Sequence, residues 1–310
     1  MKLFKNDITL ESKDEMNKYL LAYDHESSAQ CFSSLFTWSR VHDFCWEIID
    51  DHLCIEGTYR PDQGVEVLIH YMFPPVPADG KLDAERLRAV IEKARAIFDE
   101  AGEPLMIKRI PGNMKAVYEE AFPDIELTED RTYFDYVYDA EQLAELRGKK
   151  FHSKKNHVNA FERNYDFEIK LFTPDMTGEV LDLVDRLNAV RDDTPEDAGG
   201  LDYERRVIDA PLLNMKALDC IGLSIYIGGR MEAFAFGGPL SDTTVCEHFE
   251  KANTEYRGLY AKITKEFCAM ARENGYTLVN REEDMGSENL RKSKLSYRPV
   301  FLIDKYEMYF

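Results

Sequence analysis

Apolar residues return every three or four positions between Leu82 and Ala101. Leu87, Val90, Ile91, Ala94 and Phe98 line one face of a predicted helix, which Gly102 stops. The same period predicts helices over 9–23, where Ser12 and Glu15 fit a capping box, and over 111–122, 140–146, 149–165, 176–192, 201–216, 257–274 and 287–294. Runs rich in β-branched and aromatic residues predict strands at 45–50, 52–56, 65–72, 105–110, 125–127 and 133–138. Further strands are predicted at 167–172, 221–227, 231–237, 244–250, 278–280 and 300–306. Pro74, Pro75 and Pro77 force a loop after the third strand, and Gly228-Gly229 is a tight hairpin turn. An aromatic-rich stretch, 32–46, follows the first helix.

From residue 139 the predicted order is helix, strand, two helices, three antiparallel strands, helix, strand, helix, strand. That is the order of the N-acyltransferase (GNAT) fold, and the first half gives a looser version of it. The expectation is therefore an α/β (α+β) chain of two tandem GNAT-like domains, 1–138 and 139–310. Each would hold a mixed, mostly antiparallel sheet flanked by helices. A length of 310 residues accords with two domains of about 150 residues each.

Charge narrows the functional classes. With 39 Lys+Arg against 58 Asp+Glu, the net charge of −19 argues against a generic DNA-coating protein and against electrostatic docking on an anionic membrane. No apolar run reaches the roughly 18–20 residues that span a bilayer, and residues 1–10 carry no secretory signal, so the expected location is the cytoplasm. Cys31, Cys45, Cys54, Cys220, Cys246 and Cys268 form no C-x-x-C pair and read as buried, reduced thiols. The charge is uneven, however. Between 147 and 163, Arg147, Lys149, Lys150, Lys154, Lys155 and Arg163 stand against Glu162 alone, a local +5, and Arg291, Lys292 and Lys294 form a second basic cluster. Gly-x-Ser-x-Gly, Walker A and Gly-x-Gly-x-x-Gly patterns are absent, which disfavours triad hydrolysis, nucleotide hydrolysis and dinucleotide redox chemistry.

Three stretches stand out: 147–161, from Arg147-Gly148-Lys149 to Phe161; His248-Phe249-Glu250-Lys251-Ala252-Asn253 continuing to Arg257-Gly258-Leu259-Tyr260; and 279–286 with 290–299, from Val279-Asn280-Arg281 to Arg298-Pro299. Together they resemble the soluble proteins related to the C-terminal catalytic domain of phosphatidylglycerol lysyltransferases. The resemblance covers the chain, with its specific motifs after residue 146. It implies tandem GNAT-like domains and group-transfer chemistry. The membrane-bound members transfer lysine from lysyl-tRNA to phosphatidylglycerol.

The residues suggest roles of their own. On the 149–165 helix, Phe151, Val158, Phe161 and Tyr165 share an inward face, while His152, Asn156, Asn159 and Arg163 form a polar stripe. Lys150, Lys154, Lys155 and Asn156 are candidates for a phosphate-bearing donor, with Lys251, Arg257 and Gly258; the alternative is a solvated basic face. Strand alternation turns His248 and Glu250 one way, Phe249 and Lys251 the other. Glu250 is a candidate general base for an attacking amine, or half of a strand-end salt bridge. Residues 253–261 fall where a GNAT holds pyrophosphate, but Glu255 stands where a basic or amide residue is expected, which disfavours ordinary acetyl-CoA use. Asn253, Tyr260, Asn280, Arg281, Glu282 and Asp284 are candidate substrate contacts at strand ends. Lys294 and Tyr297 are candidates for oxyanion contact and proton donation. No metal site is expected, because no His or Cys stands at ligand spacing beside the 282–284 acids. The expected reaction moves an aminoacyl group from aminoacyl-tRNA to an amine or hydroxyl acceptor. CoA-dependent N-acyl transfer and a non-catalytic module binding a small amino compound or tRNA are the alternatives.

Overall fold

The computed structural model describes residues 2–23, 26–60, 68–189 and 204–310. The predicted segments that reach into 24–25, 61–67 and 190–203 lie partly outside the described residues. The chain forms two units, 1–135 with 303–310, and 136–302.

In the first unit the sheet runs in the order Asn6–Asp7, Cys45–Ile49, His52–Tyr59, Ile69–Met72, Met106–Pro111, Lys305–Tyr309, Thr128–Glu129, with Val76–Pro77 pairing His52–Tyr59. All described pairs are antiparallel except Ile69–Met72 with Met106–Pro111. The Ala84–Ala101 helix carries the chain between those two parallel strands. Asp83 caps it and Gly102 ends it at φ +79, and its predicted stripe, Leu87, Val90, Ile91, Ala94 and Phe98, is buried against Ile107, Ile110 and Met308. Two local readings change. The aromatic stretch opens as a helix, Phe32–His42. Ser12 does not pair with Glu15; its hydroxyl accepts from the Thr9 N–H at 3.1 Å, closing a short turn ahead of the Lys13–Leu20 helix.

The C-terminal strand changes more. The sequence predicts one strand over 300–306 within a second domain that runs to Phe310. The chain instead breaks at Asp304: Phe301–Ile303 edges the second sheet and Lys305–Tyr309 lies inside the first. A buried ion pair explains this. Lys305 Nζ lies 2.6 Å from Asp135 Oδ1, and both side chains are excluded from water. Ser28 completes the cluster, its N–H and hydroxyl donating to Asp135 at 2.8 and 2.7 Å. An apolar strand motif says nothing about a charge that needs a partner in the other half of the chain.

The second sheet runs Phe301–Ile303, Asp135–Asp139, Leu278–Asn280, Thr244–Ala252, Arg230–Pro239, Ile221–Ile227, Phe167–Leu171. Its single described parallel pair, Thr244–Ala252 with Leu278–Asn280, is again bridged by a helix, Leu259–Glu273. Both units thus repeat one plan of strand, helix and parallel neighbour within an antiparallel sheet, the plan expected of two tandem GNAT-like domains. Leu259, Ile263, Phe267 and Ala271 pack on Leu223, Ile225 and Ala235 and on Phe161 of the His152–Asn164 helix. That helix buries Val158 and Phe161 and exposes His152, Asn156, Asn159 and Arg163, as its periodicity predicts. Glu162, its one acid, accepts from the buried Lys262 at 2.6 Å. The described cysteines are all buried and free of disulfides.

Removing one partner of a buried ion pair strands the other charge. Lys305→Met should therefore lower the unfolding free energy by about 3–5 kcal/mol, read from urea denaturation. A loss below about 1 kcal/mol, the value of an exposed pair, would show that the cluster does not hold the strand.

Candidate active site

The site begins with an irregularity in a strand. Thr244–Ala252 pairs Arg230–Pro239 with Phe249 opposite Phe236 and Glu247 opposite Gly237, so His248 is an extra residue, a β-bulge. Residues three apart on a regular strand face opposite ways. Here the bulge lets Glu247 and Glu250 reach the same guanidinium: Arg281 Nε lies 2.5 Å from Glu247 Oε2, and Arg281 Nη2 lies 2.8 Å from Glu250 Oε1. Gly237 makes room, since a Cβ there would fall 2.3 Å from the Cys246 carbonyl oxygen. Arg281 follows Leu278–Asn280, which pairs with Thr244–Cys246 for only three residues, while the longer strand continues paired with Arg230–Pro239 alone. Its side chain reaches across beyond the last pair.

Other elements close on this pair of carboxylates. The Thr264 hydroxyl, from the Leu259–Glu273 helix, lies 2.8 Å from Glu250 Oε2. Tyr297, at the end of the Glu288–Ser296 helix, is buried, with its ring 5.1 Å from the Arg281 guanidinium. Lys154 sits on the other flank, its ammonium 3.6 Å from the Tyr297 ring centre, within cation–π range. Tyr138 stacks 5.6 Å from Arg281 and donates to the Lys294 carbonyl at 2.8 Å. Four expected residues, Lys154, Glu250, Arg281 and Tyr297, therefore meet in one cluster. Glu247, Thr264 and Tyr138 join them without having been expected. Glu247 was hidden because strict alternation assigns it to the face opposite Glu250; only the bulge brings both together.

Burial sets the proton affinities. It pushes Glu247 up to about 8, with Arg281 opposing and Glu250 adding to the shift. Among the described residues, Glu247 Oε1 is buried without a hydrogen-bond partner. Burial, with help from Arg281 and against Glu250, brings Lys154 down to about 8. Tyr297 is pushed up to about 12, by burial first and Glu250 second, so it remains a neutral donor. Glu247 and Lys154, both influenced by Arg281 and Glu250, are thus a carboxyl and an amine that change charge near neutrality within one cluster.

The remaining expected residues are engaged elsewhere. Lys294 does not reach this cluster through its ammonium, which bonds the carbonyls of Arg281, Glu282 and Glu283 at 2.5, 3.1 and 2.5 Å. It fixes a turn in which Glu282 and Met285 adopt positive φ, +56 and +52. Asp284 accepts from Tyr136 at 2.6 Å and from Arg291 at 2.8 and 3.0 Å. Those donors outweigh the cost of its burial and hold it at about 2. Asn280 accepts from the Glu282 N–H at 2.8 Å, forming the same turn. Lys251 pairs Glu204 at 2.8 Å, and Asn253 shapes its own turn by accepting from the Glu255 N–H at 3.0 Å and donating to Glu232. Gly258, at φ +95, presses against the next helix: a Cβ would lie 2.3 Å from the His157 carbonyl oxygen. A carbonyl oxygen at that spot repels a pyrophosphate rather than receiving one. Lys150 donates to Gln142 at 2.5 Å, and Lys155, Asn156, Arg257 and Tyr260 are exposed. The active cluster and the basic helix surface thus share a single residue, Lys154.

In the folded protein Glu247 keeps its proton to about pH 8, and in the unfolded chain only through the ordinary carboxylate range. Folding stability attributable to this group is full at low pH and is lost as pH rises through about 8. Glu247→Gln removes that loss. Its unfolding free energy relative to the parent should climb between about pH 5 and 8, measured by urea unfolding across a pH series. A difference that stays flat would mean that Glu247 is ionised throughout.

The family model described as "Phosphatidylglycerol lysyltransferase, C-terminal" matches residues 22–309. The crystal structure of a conserved protein of unknown function from Bacteroides thetaiotaomicron superposes with a TM-score of 0.86 at 35% identity, covering both chains in full. The structure of L-PGS from Bacillus licheniformis matches with a TM-score of 0.67 at 14% identity, over 100% of this chain and 94% of that one. An uncharacterized protein of Mycoplasmoides gallisepticum is 27% identical over 208 residues, 63% of this chain. The match spans 65% of that protein, just under two thirds of its length. Among the described residues, no helix is long and apolar enough to cross a membrane.

Proposed function

Because this chain belongs to the phosphatidylglycerol lysyltransferase C-terminal family, we propose that it transfers an aminoacyl group from an aminoacyl-tRNA to an amine or hydroxyl acceptor in the cytoplasm. Family and fold point to an acyltransferase or aminoacyltransferase. The observation that carries the finer reading is the gathering around Arg281 of Glu247, buried and pushed up to about 8, and Lys154, whose amine is brought down to about 8.

The chemistry requires little more. An acceptor N–H or O–H attacks the ester carbonyl of the donor. The new bond forms at that carbon, the proton leaves to a base, and the tetrahedral oxyanion collapses to release the ribose oxygen with a proton. Ionised Glu247 takes up the acceptor's proton. Glu250 is a poorer base than the sequence suggests, since Arg281 and Thr264 occupy its two oxygens. Its role in this reading is to hold Arg281, whose charge balances Glu247. Protonated Lys154 supplies positive charge for the oxyanion, and the Tyr297 hydroxyl is the donor toward the leaving oxygen. The exposed basic side chains Lys149, Lys150, Lys155 and Arg163 offer contacts to a tRNA backbone. Gly258 packed on the His157 carbonyl speaks against CoA pyrophosphate at the start of the Leu259–Glu273 helix.

Transfer from radiolabelled aminoacyl-tRNA, with a panel of amine and hydroxyl acceptors, tests the reading. Glu247→Gln should lower kcat by about 10²–10⁴-fold, the usual contribution of a positioned base, with KM for the donor little changed. Lys154→Met should weaken both. Tight calorimetric binding of acetyl-CoA with no response to aminoacyl-tRNA would transfer the assignment to CoA-dependent acylation. Retained donor binding with turnover unaffected by Glu247→Gln would overturn the base assignment.

A further inference from the structure

Consecutive residues of the bulged strand divide between two clusters. Glu247 and Glu250 engage Arg281, while Cys246 and the bulged His248 engage Glu282. His248 Nδ1 lies 2.9 Å from Glu282 Oε1, and Cys246 Sγ lies 3.4 Å from the same oxygen. The three donor atoms all stand within 4.8 Å of one another. We propose that Cys246, His248 and Glu282 form a binding site for a divalent transition-metal ion of the zinc type. It is separate from the acid–base cluster and independent of the proposed transfer reaction.

The donor set decides the class of ion. A thiolate and an imidazole favour zinc over magnesium or calcium, which take oxygen ligands, and a carboxylate completes a common zinc triad. The spacing agrees. Bond lengths of about 2.0–2.1 Å to nitrogen and oxygen and about 2.3 Å to sulfur place tetrahedral ligand atoms roughly 3.3–3.6 Å apart. The Cys246–Glu282 separation already has that value, and the His248–Glu282 separation needs to open by a few tenths of an ångström. With protons in place of the ion, the thiol and the imidazole both donate to one carboxylate oxygen. One cation at their centre replaces those protons, and binding releases the thiol proton.

The backbone around these ligands is held in place. His248 is re-aimed by the bulge, a feature that commonly redirects a side chain toward a site. Glu282 stands at φ +56, a conformation costly for a residue with a side chain, in the turn that Lys294 fixes through three carbonyls. Cys246 pairs with Asn280 in the last rung of the parallel pair, two residues before Glu282. An ion here ties the bulged strand to the turn that follows its neighbour. Three protein ligands leave a fourth position for water or a small anionic ligand.

Cobalt substitution tests the site directly. The purified protein is stripped with chelator and titrated with Co²⁺. The expected result is a thiolate-to-cobalt charge-transfer band and tetrahedral d–d bands that saturate at one equivalent and are displaced by Zn²⁺. Cys246→Ser, checked for native circular dichroism, should lose the charge-transfer band. His248→Ala and Glu282→Gln should each weaken Zn²⁺ binding, measured against a chromophoric chelator, by more than about 100-fold, beyond the 10–100-fold cost of losing a supporting partner. No charge-transfer band in the parent protein, or an undiminished band in Cys246→Ser, overturns the proposal. Neither result bears on aminoacyl transfer, which is read in a separate assay.

Discussion

The second unit depends on how Arg281 is neutralised. A guanidinium this far from water is tolerated only with close, well-oriented counter-charges. Glu247 and Glu250 supply them, and to do so the strand must carry an extra residue. The bulge at His248, the glycine opposite it and the short parallel pairing of Leu278–Asn280 all accommodate this one requirement. Two carboxylates around one guanidinium also leave an excess of negative charge. Glu250 adds to the burial that raises the proton affinity of Glu247, and Lys154 is lowered by burial first and by Arg281 second. Burial thus sets the acid–base properties of the site, and the charge balance around Arg281 adjusts them.

Much of this was legible in the sequence, and the limits have physical causes. Period 3.6 located the Ala84–Ala101 and His152–Asn164 helices because amphipathic burial is a local pattern, and period 2 with glycine turns located the central hairpins for the same reason. Lys154, Glu250, Arg281 and Tyr297 were named because each lies in a motif with unusual polar content. Glu247 was missed because a bulge is invisible to alternation, and no residue at that point marks it except Gly237 on the partner strand. Lys294, Asp284, Asn280 and Lys251 were given functional roles because a charged cluster after a strand end resembles a site. Their true partners are backbone carbonyls, a tyrosine hydroxyl, a backbone N–H and Glu204, none of which sequence spacing reveals. The Cys246, His248 and Glu282 cluster was missed for a similar reason: its members are separated by the helix that links two parallel strands.

Position on the surface also separates two kinds of basic residue. On the His152–Asn164 helix, Lys154 turns inward and loses proton affinity, while Lys155 remains exposed. A donor binding through exposed lysines and arginines would respond steeply to ionic strength, whereas the buried amine would not. The uneven charge of an acidic chain therefore resolves into a surface that attracts an anion and an interior that handles a proton.

The placement of the Lys305–Tyr309 strand bears on how this chain folds. It lies between Met106–Pro111 and Thr128–Glu129, and its lysine neutralises Asp135. The first sheet consequently lacks an interior strand, and a buried carboxylate lacks its partner, until the ribosome has made some 170 further residues. Closure of so long a loop is entropically slow. The second unit, continuous from 136 to 302, carries a similar constraint at its edge, where Phe301–Ile303 lies beside Asp135–Asp139. One short stretch, 301–309, therefore completes both sheets.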